Sequence, residues 1–153
     1  MTATIAIVGV GWVGKSMHRI FPDAVLFDEP HGIGTREDVN GCDIALICVP
    51  TPSLPNGECD LSIIRDVVSW IDGPIICIKG AVLPGTVAAL LEEHPTKRVV
   101  ISPEYIGEGP TWNGTIDGTF SQDYTPEQWP FILVGGEEEA ATVVLAAFEE
   151  ALA

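Results

Sequence analysis

Basic side chains are scarce in this chain, and they are unevenly placed. The 153 residues include 7 lysines and arginines against 22 aspartates and glutamates, which gives a formal net charge of −15. No lysine or arginine follows Arg98, whereas ten acidic residues do. This balance argues against binding to nucleic acid or to an anionic membrane surface, because both need clustered positive charge. The part of the chain after Arg98 is also poorly equipped to hold an anionic substrate by itself.

Paired cysteine motifs and long apolar runs are missing as well. The cysteines contain no C-x-x-C spacing and two of them lie in apolar runs, so we expect buried thiols and neither disulfides nor a metal site; they are Cys42, Cys48, Cys59 and Cys77. No apolar run approaches the roughly 20 residues of a membrane-spanning helix. The N-terminus has no basic region of the kind that opens a signal peptide. We therefore expect a cytoplasmic protein.

The most informative stretch is a glycine-rich turn near the N-terminus. A β-branched apolar run enters G-x-G-x-x-G at Gly9, Gly11 and Gly14, and a helix-compatible segment follows. In dinucleotide-binding turns the first glycine allows a tight strand-to-helix turn and the second lets the backbone approach a pyrophosphate, while the third lets helix and strand pack closely. The phosphates would lie on free N–H groups at the positive end of the helix dipole. The alternative interpretation is a strand–turn–helix unit whose glycines are incidental.

An acidic residue stands where such a turn needs one. A second apolar run, Ala24–Phe27, ends at Asp28, which lies 19 positions after Gly9. A carboxylate about 20 residues after the glycines accepts hydrogen bonds from the adenosine ribose hydroxyls. An acid there favours NAD over NADP, because a 2′-phosphate would meet like charge.

Apolar runs of strand length alternate with amphipathic helical patterns along the chain. Strands are predicted at Thr4–Val8, Ala24–Phe27, Ile44–Val49, Ile75–Ile78, Arg98–Ile101 and Phe131–Val134, and helices at Trp12–Phe21, Leu61–Ile71, Val87–Glu93 and Glu137–Leu152. Asp60 and Thr86 are expected to cap the second and third of these helices. Residues 107–130 form a long predicted loop rich in Gly, Thr and aromatic residues, of the kind that is usually functional or mobile. The alternation predicts an α/β fold, a doubly wound parallel sheet of about six strands in three α/β/α layers, as a single domain over 1–153.

Three further segments leave the predicted strands at the end where open parallel sheets bind ligands: the proline loop after Val49, Lys79–Thr86 and the segment with Glu104. Prolines directly after Val49, at Pro50 and Pro52, would stiffen a loop that crosses the nicotinamide-ribose region, with the Thr51 hydroxyl available to the cofactor. Simple termination of the strand by proline is the alternative. Glu104 follows another strand, where a carboxylate beside a cofactor could act as a base or could merely cap the strand as an exposed polar residue.

Taken together, these pieces resemble the N-terminal NAD-binding domain of the UDP-glucose/GDP-mannose dehydrogenase family. The matching segments follow the family's order from residue 4 to about residue 136: I-A-I-V-G-V-G-W-V-G, V-L-F-D, C-V-P-T-P with the later N-G-E-C-D-L-S, I-K-G-A-V-L-P-G-T, S-P-E-Y-I-G-E-G and F-I-L-V-G-G. The resemblance implies a Rossmann fold and the oxidation of a nucleotide-sugar C6 alcohol to a carboxylate with two NAD. It implies NAD contacts from Gly9, Val10, Gly11, Trp12, Val13, Gly14 and Asp28, with Val49, Pro50 and Thr51 near the nicotinamide end and Glu104 beside the reacting carbon.

The chain also departs from the family pattern. Ala81 stands where the family has a threonine whose hydroxyl helps to position substrate and water, and Ser102 stands where it has asparagine. The family's thiolate nucleophile belongs to a second domain, in a G-F-G-G-S-C-F-P-K-D motif that these 153 residues do not contain. No cysteine here has the basic surroundings that would lower its pKa. The histidines show no visible partner and are expected on the surface, at His18, His31 and His94.

These observations support three functional hypotheses. The preferred one is a domain that binds NAD(H) or a related adenine nucleotide and senses, sequesters or presents it without completing the oxidation, since the covalent route to an acid needs the cysteine. The second is a dehydrogenase of nucleotide sugars that works as a homo-oligomer or with a separate catalytic partner chain. The third is a protein-interaction module that uses loop 107–130 and retains a vestigial nucleotide site.

Overall fold

The computed structural model describes residues 2–104 and 131–153, and the predicted loop 107–130 lies outside them. The strands are β1 (Ile5–Val8), β2 (Val25–Phe27), β3 (Ile44–Ile47), β4 (Ile75–Ile78), β5 (Val99–Ile101) and β6 (Gly135–Gly136). The helices are α1 (Trp12–Ile20), α2 (Arg36–Asn40), α3 (Ser62–Trp70), α4 (Thr86–Glu93) and α5 (Glu138–Leu152), and a 3₁₀ turn covers Glu29–His31.

The six strands form one sheet in the order β2-β1-β3-β4-β5-β6. The pairs from β2 to β5 are parallel, whereas β6 runs antiparallel to β5. From β1 the chain goes outward to β2 and then crosses to the other side of β1 to form β3. The strand order therefore reverses between β1 and β3, and the predicted doubly wound α/β sheet is confirmed.

Side chains alternate between the two faces of the sheet, so the strands feed two separate cores. Ile5 and Ile7 belong to one buried cluster, and Ala6 and Val8 belong to the other. All four residues of β1, β3 and β4 are buried, as expected for parallel strands covered on both faces. Each isoleucine so buried contributes about 1.5–3 kcal/mol relative to exposure.

Helices cover both faces and complete the three predicted layers. On one face α1 and α5 meet through Phe21 and Phe148, whose rings pack edge to face with centroids 5.0 Å apart. On the other face α2, α3 and α4 contribute Val39, Val68 and Leu90 to the second cluster. No helix of the described residues is long and apolar enough to cross a membrane.

The prediction of the last strand was wrong in position and direction. Phe131–Val134 was predicted as a parallel strand, but the structure places β6 at Gly135–Gly136, antiparallel to β5. Gly136 has a φ of +140°, and a Cβ added there would lie 2.9 Å from Cγ1 of Val100. The chain therefore approaches β5 where side chains are absent. Ile132 and Val134 are partly buried side chains that pack against the first cluster.

Two predicted helix caps differ in detail from the structure. Asp60 accepts a hydrogen bond from the Ser62 amide at 2.9 Å, but the N-cap of α3 is Leu61. Thr86 is the first residue of α4 and not its cap, because Gly85 takes the cap position with a φ of +90°. The side chain of Glu137 caps α5 through the amides of Glu139 and Ala140. These shifts leave the helix positions almost unchanged.

Candidate functional site at the carboxyl edge of the sheet

The segments that the sequence singled out all leave the same edge of the sheet. After β1, β3, β4 and β5 the next residue donates its amide to the last carbonyl of a neighbouring strand. These bonds measure 2.7–2.9 Å and join Gly9 to Phe27, Cys48 to Val8, Lys79 to Ile47 and Ser102 to Ile78. The glycine turn, Asp28, the proline loop and the segment with Glu104 therefore all follow the carboxyl ends of the strands, along one edge of the sheet. The reversal of strand order between β1 and β3 lies within it, which is where ligands bind in open parallel sheets.

Close packing at two positions requires the glycines of the turn. Gly9 has a φ of +94°, and a Cβ added there would lie 2.8 Å from the carbonyl oxygen of Cys48 on the neighbouring β3 segment. A Cβ at Gly14 would overlap the carbonyl oxygen of Gly9 itself. The first and third glycines thus let strand, turn and helix approach one another, as the motif predicts.

Gly11 differs from its two neighbours. A Cβ added there would have no heavy atom of the described residues within 4 Å. The packing of the described residues therefore does not demand glycine at this position. A diphosphate can approach the backbone closely only where no side chain projects, and Gly11 leaves open space at this position.

The N-terminus of α1 fits a phosphate. Its N-cap is Gly11, which offers no side chain to the helix, and α1 has no acidic residue in its first turn. The first-turn amides of an α-helix have no intrahelical acceptor, and the helix dipole makes this end positive. In many helices Ser, Thr or Asp would satisfy one of these amides, so the uncapped end fits the diphosphate of a dinucleotide.

Asp28 lies directly against the glycine turn. Its Oδ2 accepts a hydrogen bond from the Val10 amide at 2.8 Å, and its side chain is only 9% exposed. Burial favours the neutral acid, but the bonds from Val10 and His31 outweigh burial and hold the pKa of Asp28 below its usual range. The carboxylate is therefore ionised at neutral pH and is placed beside the turn, as a ribose acceptor must be.

The expectation that the histidines lack partners was wrong for two of them. Nδ1 of His31 lies 2.6 Å from Oδ1 of Asp28, and Nε2 of His18 lies 3.0 Å from the carbonyl oxygen of Pro22. The first contact arises because the 3₁₀ turn after β2 brings His31 back over the end of its own strand. A spacing of three residues between an acid and a histidine is too common to have indicated this pair.

The proline loop after β3 contacts the next loop along the edge. The Thr51 hydroxyl donates to the carbonyl oxygen of Ala81 at 2.9 Å, so its proton is directed to the β4 segment. The hydroxyl oxygen still has lone pairs that can accept a bond from a ligand. Val49 is half-buried and Pro50 is exposed. The loop is thus anchored to the segment that carries the departure at Ala81.

A buried lysine at the end of β4 was not singled out from the sequence. Lys79 is 0% exposed, and its Nζ donates to Oγ of Ser102 at 2.9 Å and lies 5.0 Å from the centre of the Phe148 ring. Burial lowers the pKa of Lys79, against the opposing influence of Cys77, Cys48 and Glu104. The only signal in the sequence is a lone basic residue directly after an apolar strand.

The buried cysteines are poor nucleophiles. Cys48 and Cys77 are both buried, and burial raises the pKa of Cys77 to about 11 and that of Cys48 further still. Burial, with smaller contributions from Asp43 and Asp38, also raises the pKa of Cys42. These three thiols are therefore protonated at neutral pH, in line with the expectation from their sequence surroundings.

The comparison that decides the family covers most of the chain. Residues 33–147 match the NAD binding domain model of the UDP-glucose/GDP-mannose dehydrogenase family. The chain belongs to this family. It carries the family's NAD-binding domain, and NAD is the cofactor of that domain. The match begins after the glycine turn and Asp28, so it rests on residues other than those that first suggested a dinucleotide.

Curated relatives and solved structures agree with this family. The chain is 29% identical over 134 residues to the GDP-mannose 6-dehydrogenases of Pseudomonas putida and Pseudomonas syringae pv. syringae, which covers 76% of this chain and 28% of each relative. The chain thus spans under a third of the length of the relatives it matches.

Two solved structures share the fold with a TM-score of 0.68 each. The UDP-glucose dehydrogenase of Pyrobaculum islandicum is 19% identical, with 100% of this chain and 45% of that chain covered. The GDP-mannose dehydrogenase of Pseudomonas aeruginosa, solved as a ternary complex, is 21% identical, with 99% and 44% covered.

Proposed function

We propose that the chain binds NAD(H) across the reversal of strand order, with its diphosphate on the Gly9–Gly14 turn and its adenosine ribose on Asp28. The observation that carries the proposal is the 2.8 Å bond from the Val10 amide to Oδ2 of Asp28, which fixes the acceptor for ribose beside the turn. The uncapped start of α1 and the open space beside Gly11 support the position of the diphosphate. Trp12 and Val13, which open α1, flank the same phosphates.

The nicotinamide end would then lie towards the proline loop. Val49, Pro50 and Thr51 follow β3, on the far side of the reversal from Asp28. Bound NAD would accept a hydride at its nicotinamide ring, and the residues of this edge would orient that ring. Glu104, which follows β5 at the same edge and acts electrostatically on Lys79 and Cys48, is the proposed base.

We further propose that these residues do not complete a four-electron oxidation by themselves. The three thiols with raised pKa, at Cys42, Cys48 and Cys77, cannot supply the thiolate for a covalent intermediate at neutral pH. Ala81 offers no hydroxyl to position water. Binding, sensing or presentation of the nucleotide is therefore the proposed role of this chain alone.

A second candidate is the oxidation of a nucleotide sugar with the help of a further copy or a separate catalytic chain. The match to proteins named GDP-mannose 6-dehydrogenase favours this candidate, and the match covers 28% of their length. In that case this domain would contribute the cofactor site and Glu104, and another domain would contribute the nucleophile.

Calorimetry on the intact chain tests the binding proposal. NAD⁺, NADH and ADP-ribose should each bind, and Asp28→Asn should weaken all three by roughly tenfold to a hundredfold, the worth of bonds to a charged acceptor. Asp23→Asn is the matched control, since Asp23 is an exposed aspartate near the opposite end of the sheet. The absence of heat with every ligand would overturn the proposal and favour an interaction module.

Absorbance of NADH separates the binder from the enzyme. The purified chain should produce no steady NADH from NAD⁺ with UDP-glucose or GDP-mannose. Sustained turnover by this chain alone would overturn the non-catalytic role and leave the binding proposal standing.

A further inference from the structure

The contact between His31 and Asp28 helps to hold the pKa of Asp28 low, but the imidazole has no role towards the ligand in the site as described so far. The imidazole side chain is 74% exposed, whereas the carboxylate that it touches is 9% exposed. One ring nitrogen therefore covers Oδ1 of Asp28 while the rest of the ring faces outward. Oδ2 of the same carboxylate is occupied by the Val10 amide at 2.8 Å.

The backbone builds this placement. The Asp28 amide donates to the carbonyl of Ile33 at 2.9 Å, and the amides of His31 and Ile33 both donate to the carbonyl of Asp28, at 3.1 and 3.0 Å. Gly32 closes the turn with a φ of +66°, a conformation that favours glycine. The ring is thus held over the carboxylate by a tight, hydrogen-bonded loop and not by a surface rotamer alone.

Other charged groups near the turn are already paired with one another. Glu29 binds Nη2 of Arg36 through both carboxylate oxygens, at 3.0 and 3.2 Å. The Arg36 guanidinium also lies 4.9 Å from the centre of the Trp70 ring and 4.0 Å from Asp66. Arg36 is therefore directed away from Asp28, and His31 is the titratable group in contact with the ribose acceptor.

We propose that His31 is the specificity-determining residue for the ribose 2′ position of the bound dinucleotide, with its protonation state setting how well a 2′-phosphate is tolerated. The proposal rests on the placement of the ribose at Asp28. A hydroxyl that donates to the Asp28 carboxylate reaches a group that the imidazole already touches, so the 2′ substituent and the ring are neighbours.

The two protonation states of His31 predict opposite behaviour. The neutral ring has one N–H, which donates to Oδ1 of Asp28, and its exposed nitrogen then offers only a lone pair that repels phosphate. The imidazolium donates from both nitrogens and offsets the charge of Asp28, so its outer N–H is available to a 2′-phosphate.

The test compares the affinities of ADP-ribose and 2′-phospho-ADP-ribose at a series of pH values from about 5 to about 8. In the wild type the preference for ADP-ribose should fall by about tenfold on acidification, the worth of one charge-assisted hydrogen bond. His31→Gln keeps a polar side chain but does not titrate, and His31→Ala removes the side chain. Both variants should lose this pH dependence, apart from the part due to protonation of the phosphate itself.

His18→Gln is the matched control, because His18 bonds to Pro22 and not to Asp28. It should keep the wild-type change in preference. Equal pH dependence in wild type, His31→Gln and His31→Ala would overturn the role of His31 while the binding proposal survives. Failure of every variant to bind ADP-ribose at any of these pH values would instead overturn the ribose site and the inference with it.

Discussion

The two halves of the carboxyl edge are built in different ways. The nucleotide half, Gly9–Gly14 with Asp28, is made of backbone amides and missing side chains, and the positions of its atoms follow from close packing. The other half contains Lys79, Ala81, Ser102 and the proposed base Glu104, and we call it the reaction half because of that proposal; its character depends on side chains. In the nucleotide half, backbone atoms leave no room for a side chain at Gly9 or Gly14, although Gly11 faces open space. In the reaction half, the departures at Ala81 and Ser102 change only side chains.

This contrast shows that the two halves are under different constraints: backbone packing in the nucleotide half and side-chain chemistry in the reaction half. The turn must keep Gly9 and Gly14 for close packing, whether or not a ligand is bound. Ala81 is under no such constraint, since the Thr51 hydroxyl bonds to its backbone carbonyl. Ser102 is constrained through its hydroxyl, which accepts the bond of buried Lys79. A departure from the family is therefore expected at Ala81.

The largest expected effect is at Gly14. Gly14→Ala places a Cβ on the carbonyl oxygen of Gly9, and since the obstacle is backbone the turn must move. We expect a loss of about 3 kcal/mol in the free energy of unfolding, at the upper end of overpacking costs. Urea denaturation followed by circular dichroism measures it. A variant as stable as the wild type would mean that the packing of the nucleotide half is not as close as described.

The next effect concerns a buried thiol behind the reaction half. The pKa of Cys77 rises from 9.0 to about 11 on folding, so the folded state holds its proton more tightly. The stability that this tighter proton binding contributes is fully present below pH 9 and is lost as the pH rises through about 11. The total loss in the free energy of unfolding is roughly 2–3 kcal/mol. Urea titrations across this range should show a steeper alkaline loss for the wild type than for Cys77→Ala.

Two related measurements support that comparison. Cys59→Ala is the control, because Cys59 is only half-buried and belongs to neither of the two core clusters. Native-state alkylation at neutral pH should leave Cys77 unmodified. Parallel alkaline slopes for the wild type and Cys77→Ala would show that the thiol is not buried as the structure has it.

The smallest effect on stability, and the one most specific to the ligand, is at Gly11. Gly11→Ala meets no described atom within 4 Å, so stability should change by no more than about 0.5 kcal/mol. The affinity for NADH should nevertheless fall, by about tenfold or more, because the methyl group stands where the diphosphate approaches. Calorimetry and urea denaturation on the same preparation separate the two quantities. Unchanged affinity with unchanged stability would remove the diphosphate from this turn.

Much of the fold could be predicted because burial on both faces leaves a plain mark in the sequence. The residues of β1, β3 and β4 are continuous apolar runs bounded by glycine, proline or a charge, and each was placed within two residues of its observed ends. The last strand could not be placed in this way. Its two glycines have no hydropathy pattern, and the apolar run beside them, at 131–134, attracted the prediction.

The site shows the same division. The spacing of Gly9, Gly14 and Asp28 was informative because it expresses backbone geometry that every such turn shares. The burial of Lys79 was not predictable, since an isolated lysine after a strand is usually solvated and its bond to Ser102 joins residues 23 positions apart. The contact of His31 with Asp28 depends on how the turn closes at Gly32, which no residue pattern specifies.

The edges of the sheet bear on how the domain behaves at high concentration. Within the described residues the outermost strands are β2, with three residues, and β6, with two glycines. Unpaired backbone groups on a long, flat outer strand invite another chain to add on and begin aggregation. Here each outer strand offers too few such groups to act as a template. The described borders of this strongly apolar sheet therefore present little backbone to which a strand of another molecule could pair.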